Sequence, residues 1–217
     1  MSEITVKSKV LLKNDTIASE TRSKLHSLGI RCFNLIGSPG SGKTTLLEAV
    51  FGAIGGNTKA AVIEGDVKTD NDMKRISALD IPAVQIETNG ACHLNAELVE
   101  RELPNLPLGE IDILVIENVG NLICPVPYDL GEDVRVVVIS VTEGDDKPLK
   151  YPSAFFSADV VVITKIDLAP HVDSDPAILK GNALSINPNL TVLETSAKTG
   201  EGIDRFAAFM SGTRPTH

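Results

Sequence analysis

Tryptophan is absent from the 217-residue chain, and aromatic residues make up only 4 % of it. The stacking platforms that single-stranded nucleic acids need are therefore not expected. Basic residues are outnumbered, 20 against 29 acidic ones, for a net charge of −9, which argues against a nucleic-acid partner. There are only three cysteines, Cys32, Cys92 and Cys124, an odd number and too few for a disulfide framework. No apolar run approaches the roughly 20 residues that cross a bilayer, so no membrane partner is expected. The first twenty residues, MSEITVKSKVLLKNDTIASE, show no basic segment leading into an apolar core, and no export signal is read there. The expected compartment is the cytoplasm, where thiols stay reduced and available to metals.

What is there is an alternation. NDTIASETRSKLHSL (14–28) reads as an amphipathic helix capped by Asn14 or Asp15 and ended by Gly29; residues 2–13 read as a strand or an arm. Beyond it, RCFNLIG, KAAVIEGD, PAVQIET, IDILVIENV, VRVVVISV, ADVVVITKIDL and LTVLETS read as strands. KTTLLEAVFGAI, DNDMKRISAL, HLNAELVEREL, DPAILKGNALSI and GIDRFAAFM read as helices. Continuous Val/Ile/Leu runs separated by helices predict an α/β fold, a mostly parallel twisted sheet covered by helices on both faces. Ligands in such a sheet sit at the carboxyl ends of the strands.

GSPGSGKT (37–44) matches the phosphate-loop pattern in full, after an apolar strand and before a helix. Gly37, Gly40 and Gly42 allow tight turns and close backbone approach, so that loop N–H groups and the helix N-terminus cradle phosphates. Lys43 is expected on the β and γ phosphates and the Thr44 hydroxyl on Mg²⁺, with Ser41 and Thr45 completing the nucleotide contacts. The chain is thus expected to divide into an N-terminal extension and helix (1–30) and a P-loop GTPase domain (31–217).

The base is read from TKID (164–167) after a strand and TSAKTG (195–200) further on. The Asp167 carboxylate can accept from the guanine ring N–H and its exocyclic amine. Adenine offers no such donor pair, and an unpaired buried carboxylate penalises it. Lys165 can lie across the base plane, and TSAKTG resembles the second guanine loop of guanine-specific P-loop proteins, which implies that Ser196, Ala197 and Lys198 line the base. GTP is the expected nucleotide. Asp66 and Glu117, at strand ends, are expected to hold Mg²⁺ directly or through water, and Gly120 to present its N–H to the γ-phosphate. No glutamine stands where a water-orienting residue is expected. Asp66, Asp70 and Asp72 remain open for that role, and slow intrinsic hydrolysis follows.

TNGACHLN (88–95) sets Cys92 and His93 side by side in a polar loop ahead of a helix, and Cys124 follows Glu117 by seven residues. Two thiolates and an imidazole suit Ni²⁺ or Zn²⁺ and leave one ligand position open, as in a transfer or catalytic site. Cys32, inside a strand, reads as a core thiol; His26 and His171 read as surface histidines.

Taken together and in this order, GSPGSGKTTLLE, IEGDVKTDND, TNGACHLNAELV, IENVGNLICP, EGDDKPLKYP and TKIDL make the chain similar to the HypB family, the nickel-incorporation GTPases of nickel–iron hydrogenase maturation. The resemblance implies GTP-dependent homodimerisation and a metal site at the dimer interface from Cys92, His93 and Cys124. It also implies maturation partner proteins and the hydrogenase large-subunit precursor as partners. Lys147 or Lys150 would meet the partner subunit or its nucleotide, or else form a solvated charge run. The chain lacks the Cys-x-x-Cys-x-Cys or His-rich N-terminal segment of some members. Two other readings stay open: a urease-type nickel chaperone, whose Cys-Pro-His motif is not matched, and a regulatory GTPase with a structural zinc site.

Overall fold

The computed structural model describes residues 3–54, 58–66 and 71–212. Seven strands form one parallel sheet in the order β3-β2-β4-β1-β5-β6-β7. They are β1 (Arg31–Gly37), β2 (Ala60–Asp66), β3 (Ala83–Glu87), β4 (Ile113–Glu117), β5 (Val134–Ser140), β6 (Val160–Thr164) and β7 (Thr191–Glu194). The helices are α1 (Glu3–Ser27), α2 (Lys43–Ile54), α3 (Asn71–Ser77), α4 (Ala96–Glu102), α5 (Lys147–Lys150), α6 (Pro152–Phe156), α7 (Pro176–Ile186) and α8 (Ile203–Ser211). Among the described residues no helix is long and apolar enough to cross a membrane.

The central strands are buried on both faces, which is why they read as unbroken apolar runs. On one face Phe33, Leu35 and Val115 pack against Leu46 and Val50 of α2, Ile76 of α3 and Phe206 and Met210 of α8. On the other, Cys32, Ile63 and Ile116 meet Leu25 of α1 and Val99 of α4. Further along that second face, Val161 and Ile163 meet Phe155 of α6 and Leu179 of α7. The expected α/β architecture with helices on both faces is present. Cys32 is the fully buried core thiol expected of it, its ionisation pushed well up by burial.

One local expectation is corrected. The first helix runs from Glu3, so residues 3–13 are helix rather than strand or arm, and Asn14 and Asp15 lie inside it instead of capping it. Asn14 is buried because it serves tertiary structure. Its amide donates to the Asp129 carbonyl (2.8 Å) and its Oδ1 accepts from the Ala96 N–H (2.9 Å). The helix ends as expected at Gly29, with φ +74°; Ile30 N–H reaches the Leu25 carbonyl and Gly29 N–H that of His26. His26 is the surface histidine expected, and its Nε2 meets the Asp133 carboxylate.

Removing the Asn14 side chain strands the buried Ala96 N–H and the half-buried Asp129 carbonyl, an unpaired buried group costing about 1–3 kcal/mol. Asn14→Ala should cost roughly 2–4 kcal/mol in denaturant unfolding, while exposed Glu20→Ala on the same helix stays within about 0.5 kcal/mol. Equal effects would remove Asn14 from its bridging role.

Arg22 ties the same helix to the loop after β4 through a forked contact with Asp129 (2.6 and 2.8 Å). Burial raises the Asp129 carboxyl, but Arg22 and the Gly131 N–H outweigh it, and the group is held below its ordinary range. Stability from that pairing is present above the unfolded carboxylate value of about 3.9 and is lost as pH falls through the lower folded value. Unfolding measured at pH 7 and pH 3 should show a smaller acid loss for Arg22→Met than for the parent chain. An unchanged difference would exclude this pair from the acid limb.

Candidate functional site

The phosphate loop joins β1 to α2 at the carboxyl edge of the sheet. Gly40 and Gly42 have φ of +76° and +92°, conformations that side chains disfavour. Gly37 is needed for a different reason. A Cβ there would lie 2.4 Å from the Val138 carbonyl oxygen of the neighbouring strand. The loop is braced from β6: the Thr164 hydroxyl donates to the Ser41 carbonyl (2.6 Å) and Lys165 Nζ to the Gly40 carbonyl (2.7 Å). Lys165 adopts a left-handed conformation, φ +57°, which turns its stem back over the loop.

A cleft of about 500 Å³ opens above the loop, lined by Gly40, Gly42, Lys43, Thr44 and Thr45 with Asp66, Gly120 and Lys165. Asp167, Ser196 and Lys198 gather beside it at the ends of β6 and β7. The Ser196 hydroxyl donates to Asp167 (2.7 Å), and Lys198 Nζ stands 4.0 Å from the same carboxylate. Ala197 follows Ser196 on that turn, packed against the core.

Under the cleft lies an acidic cluster. The Thr44 hydroxyl donates to Glu117 (2.9 Å), and Lys43 Nζ stands 4.0 Å from the same oxygen. Glu64, directly beside Glu117 in the β2–β4 register, is almost fully buried. Glu64, Asp72 and Glu117 bring one oxygen each within 4.8 Å of one another, alone in this among the described residues. One oxygen of Glu64 and one of Glu117 are buried without a hydrogen-bond partner. Burial, and then the charge of Glu117, push the Glu64 carboxyl up to about 11. Glu117 is also raised by burial, against the pull of Lys43 and Thr44. Orphaned hard oxygens around a proton-holding carboxyl fit a divalent cation, which would neutralise the pair in the proton's place.

Glu117 was thus legible in the sequence, but Glu64 was missed. Its signal was a charged residue inside the apolar strand AAVIEGD. Of the three aspartates left open for water, Asp66 lines the cleft, and Asp72 joins the acidic cluster, where Arg75 holds it at 3.2 Å. Asp70 lies outside the described residues.

The Cys-His loop sits on the same edge. Helix α4 begins at Ala96, capped by the Asn95 side chain, so Cys92 and His93 belong to the preceding loop rather than to the helix. Cys124 lies near enough to Cys92 to raise its thiol, and burial adds to the effect. His93 Nδ1 lies 3.7 Å from Cys92 Sγ. The structure therefore brings Cys92 to both of its expected partners within one chain, although the three ligand atoms are not drawn as close together as the acidic cluster. Burial lowers His93, which favours the neutral imidazole. Its ring stacks on Tyr128 with centroids 4.1 Å apart, a neighbour the sequence did not disclose. Asn121 sets the Cys124 turn, its side chain accepting from the N–H groups of Ile123 (2.8 Å) and Cys124 (3.3 Å) while its backbone bridges Gly37. Lys147 pairs with Glu143 (3.0 Å) and Lys150 with Asp146 (2.6 Å).

Residues 31–194 match the family model of the CobW/HypB/UreG nucleotide-binding domain. The hydrogenase maturation factor HypB of Azotobacter vinelandii is 46 % identical over 207 residues, covering 95 % of this chain and 68 % of the relative. The chain belongs to the HypB family. Two solved HypB structures superpose closely. The Archaeoglobus fulgidus protein gives a TM-score of 0.87 at 41 % identity, over 93 % of this chain and 98 % of that one. The Helicobacter pylori protein, solved in complex with nickel, gives 0.87 at 37 %, over 94 % and 99 %. These matches establish the HypB fold for the chain and the kind of nucleotide-binding site it carries.

The Gly37 contact separates crowding from backbone strain. Gly40→Ala meets open space and should cost about 1–2 kcal/mol for its positive φ alone. Gly37→Ala, forced against a β5 carbonyl, should cost about 3 kcal/mol or more and weaken nucleotide binding with it. Thermal unfolding of the two variants decides, and the reverse order would disprove the packing argument.

Proposed function

We propose that this chain is a GTP-hydrolysing nickel metallochaperone of nickel–iron hydrogenase maturation. It comprises an N-terminal extension and helix (1–30) packing on a P-loop GTPase domain (31–217). The observation that carries the reading is the placement of Cys92, with His93 Nδ1 3.7 Å from its sulfur and Cys124 nearby, on the sheet edge that also bears the phosphate loop. The nickel complex of the Helicobacter pylori relative supports nickel as cargo.

In this reading the N–H groups around Gly37–Thr45, with Ser41 and Lys43, hold the phosphates. Asp167 selects guanine, Ser196, Ala197 and Lys198 enclose the base, and Lys165 covers it. Thr44 and Glu117, with Glu64 and Asp72 beside them, would hold Mg²⁺, which supplies charge neutralisation at the phosphates. Asp66, at the tip of β2, orients the attacking water, and the Gly120 N–H meets the γ-phosphate. With no glutamine for the water, hydrolysis is slow.

Cys92, His93 and Cys124 hold Ni²⁺ or Zn²⁺ as cargo with one position open. GTP favours a homodimer that places two such sets at the interface, where a two-fold axis brings like loops together. Ile123, beside Cys124, exposes 64 % of its surface and suits such a contact. The ion pairs of Lys147 and Lys150 within the chain are the bonds a partner would have to exchange. The chain would act in the cytoplasm with other maturation proteins and the hydrogenase large-subunit precursor.

The test is Ni²⁺ and Zn²⁺ binding to the parent chain and to Cys92→Ala/Cys124→Ala, with GDP and with a non-hydrolysable GTP analogue, recording mass in solution. Binding that needs the cysteines, with an affinity that changes at least tenfold with the nucleotide, and a dimer with the analogue are expected. Binding retained by the double variant, or indifferent to nucleotide, would reject the coupled chaperone in favour of a regulatory GTPase.

A further inference from the structure

Between the phosphate cleft and the Cys-His loop runs a short chain of buried amides. Asn118 follows Glu117 at the end of β4 and is 1 % exposed. Its Oδ1 accepts two hydrogen bonds, from the N–H of Val119 (3.0 Å) and the N–H of Leu94 (3.1 Å). Its amide nitrogen donates to Asn34 Oδ1 (3.3 Å), and Asn34 in turn donates to Glu132 (3.2 Å). Val119 precedes Gly120, which lines the cleft against Pro39 of the phosphate loop. Leu94 follows His93. One side-chain oxygen therefore holds the backbone of the phosphate-side turn and the backbone of the Cys-His loop at once.

A second contact reaches the same residue. The fully buried Leu94 side chain fills the space over Gly65, so closely that a Cβ on Gly65 would stand 2.8 Å from Leu94 Cδ1. Gly65 lies between Glu64 and Asp66. Leu94 is thus clamped by β4 through its N–H and by β2 through its side chain, and both strands end in the acidic cluster and cleft. A shift of the Val119–Gly120 turn cannot leave Leu94 in place without breaking a buried hydrogen bond, and an unpaired buried N–H is costly.

We propose that Asn118 is the positioning residue that transmits the phosphate state of the bound nucleotide to Cys92 and His93, with Leu94 as its receiving end. The inference rests on the nucleotide-coupled metal site proposed above and names the groups that do the coupling. Such coupling is reciprocal: what the nucleotide does to metal affinity, metal does to nucleotide affinity. Its physical content is one shared acceptor between two backbone segments.

The experiment compares Ni²⁺ affinity with GDP and with the non-hydrolysable GTP analogue, as a ratio, in the parent chain, Asn118→Ala and Asn118→Asp. A tenfold or larger ratio in the parent should fall to within about twofold of unity in Asn118→Ala. Asn118→Asp keeps the oxygen acceptor and should retain at least half of the parent ratio on a logarithmic scale. A merely structural Asn118 would lower thermal stability and leave the ratio intact, which overturns the proposal. A parent ratio of unity instead overturns the nucleotide-coupled reading on which it rests.

Hydrogen exchange at the Leu94 amide of the parent chain tests the link without substitution. Its protection should change by tenfold or more between the two nucleotides, and equal protection refutes the relay even where the variants fail to fold.

Discussion

The register of β4 between β1 and β2 is the constraint on which the site depends. Glu117 pairs with Leu35 on one side and with Glu64 on the other. That single alignment sets a carboxylate beneath the phosphate loop, a second carboxyl beside it, and Asn118 one residue further on. Because side chains alternate along a strand, a slip of one residue would turn Glu117 to the opposite face and bring Asn118 into its place. The apolar residues around it prevent the slip, since Val115 and Ile116 belong to opposite core faces and would both be misplaced.

The same alignment is electrostatically unfavourable until something compensates it. Two buried carboxylates side by side cannot both ionise cheaply. Lys43 and Thr44 offset part of the cost at Glu117, and a proton held on Glu64 offsets more. Under the proposed reading the divalent cation that accompanies the nucleotide takes over from that proton. The unfavourable pairing of the two carboxyl groups then becomes affinity for that cation.

Legibility in the sequence followed the range of the interactions. The phosphate loop could be read because its pattern is local: the glycines at 40 and 42 serve backbone turns within it, although Gly37 answers to Val138 on the distant strand β5. The buried strands could be read because both their faces are apolar. The beginning of α1 could not. EITVKSKVLLK is rich in β-branched residues, and Asn14 resembles a cap, yet its bonds go to Asp129 and Ala96, more than eighty residues away in the chain. Glu64 was hidden for the same reason, since the carboxylate that gives it meaning is on another strand. Asn118 stood within a recognised motif, but the N–H it receives belongs to Leu94, and no local pattern announces that pairing. The cysteines and His93 could be picked out by type, whereas the stacking of Tyr128 on His93 could not.

Two metal chemistries share one edge of this sheet under the proposed function, and the donor sets keep them apart. The cluster under the phosphate loop offers only carboxylate and hydroxyl oxygens, which suit Mg²⁺. The loop at residues 92–93 and the turn at 124 offer sulfur and imidazole nitrogen, which suit softer borderline cations and leave Mg²⁺ without natural ligands. Asn118, Leu94 and Gly65 stand between the two, and none of them brings a charge or a soft donor. The divider is therefore inert toward either ion but mechanically stiff, because its polar groups are paired and its apolar side chain is packed against backbone. Under the proposed function, a separator of that kind would leave each ion to its own donor set while letting the occupancy of one be felt at the other. A charged or flexible divider would give up one of those properties for the other.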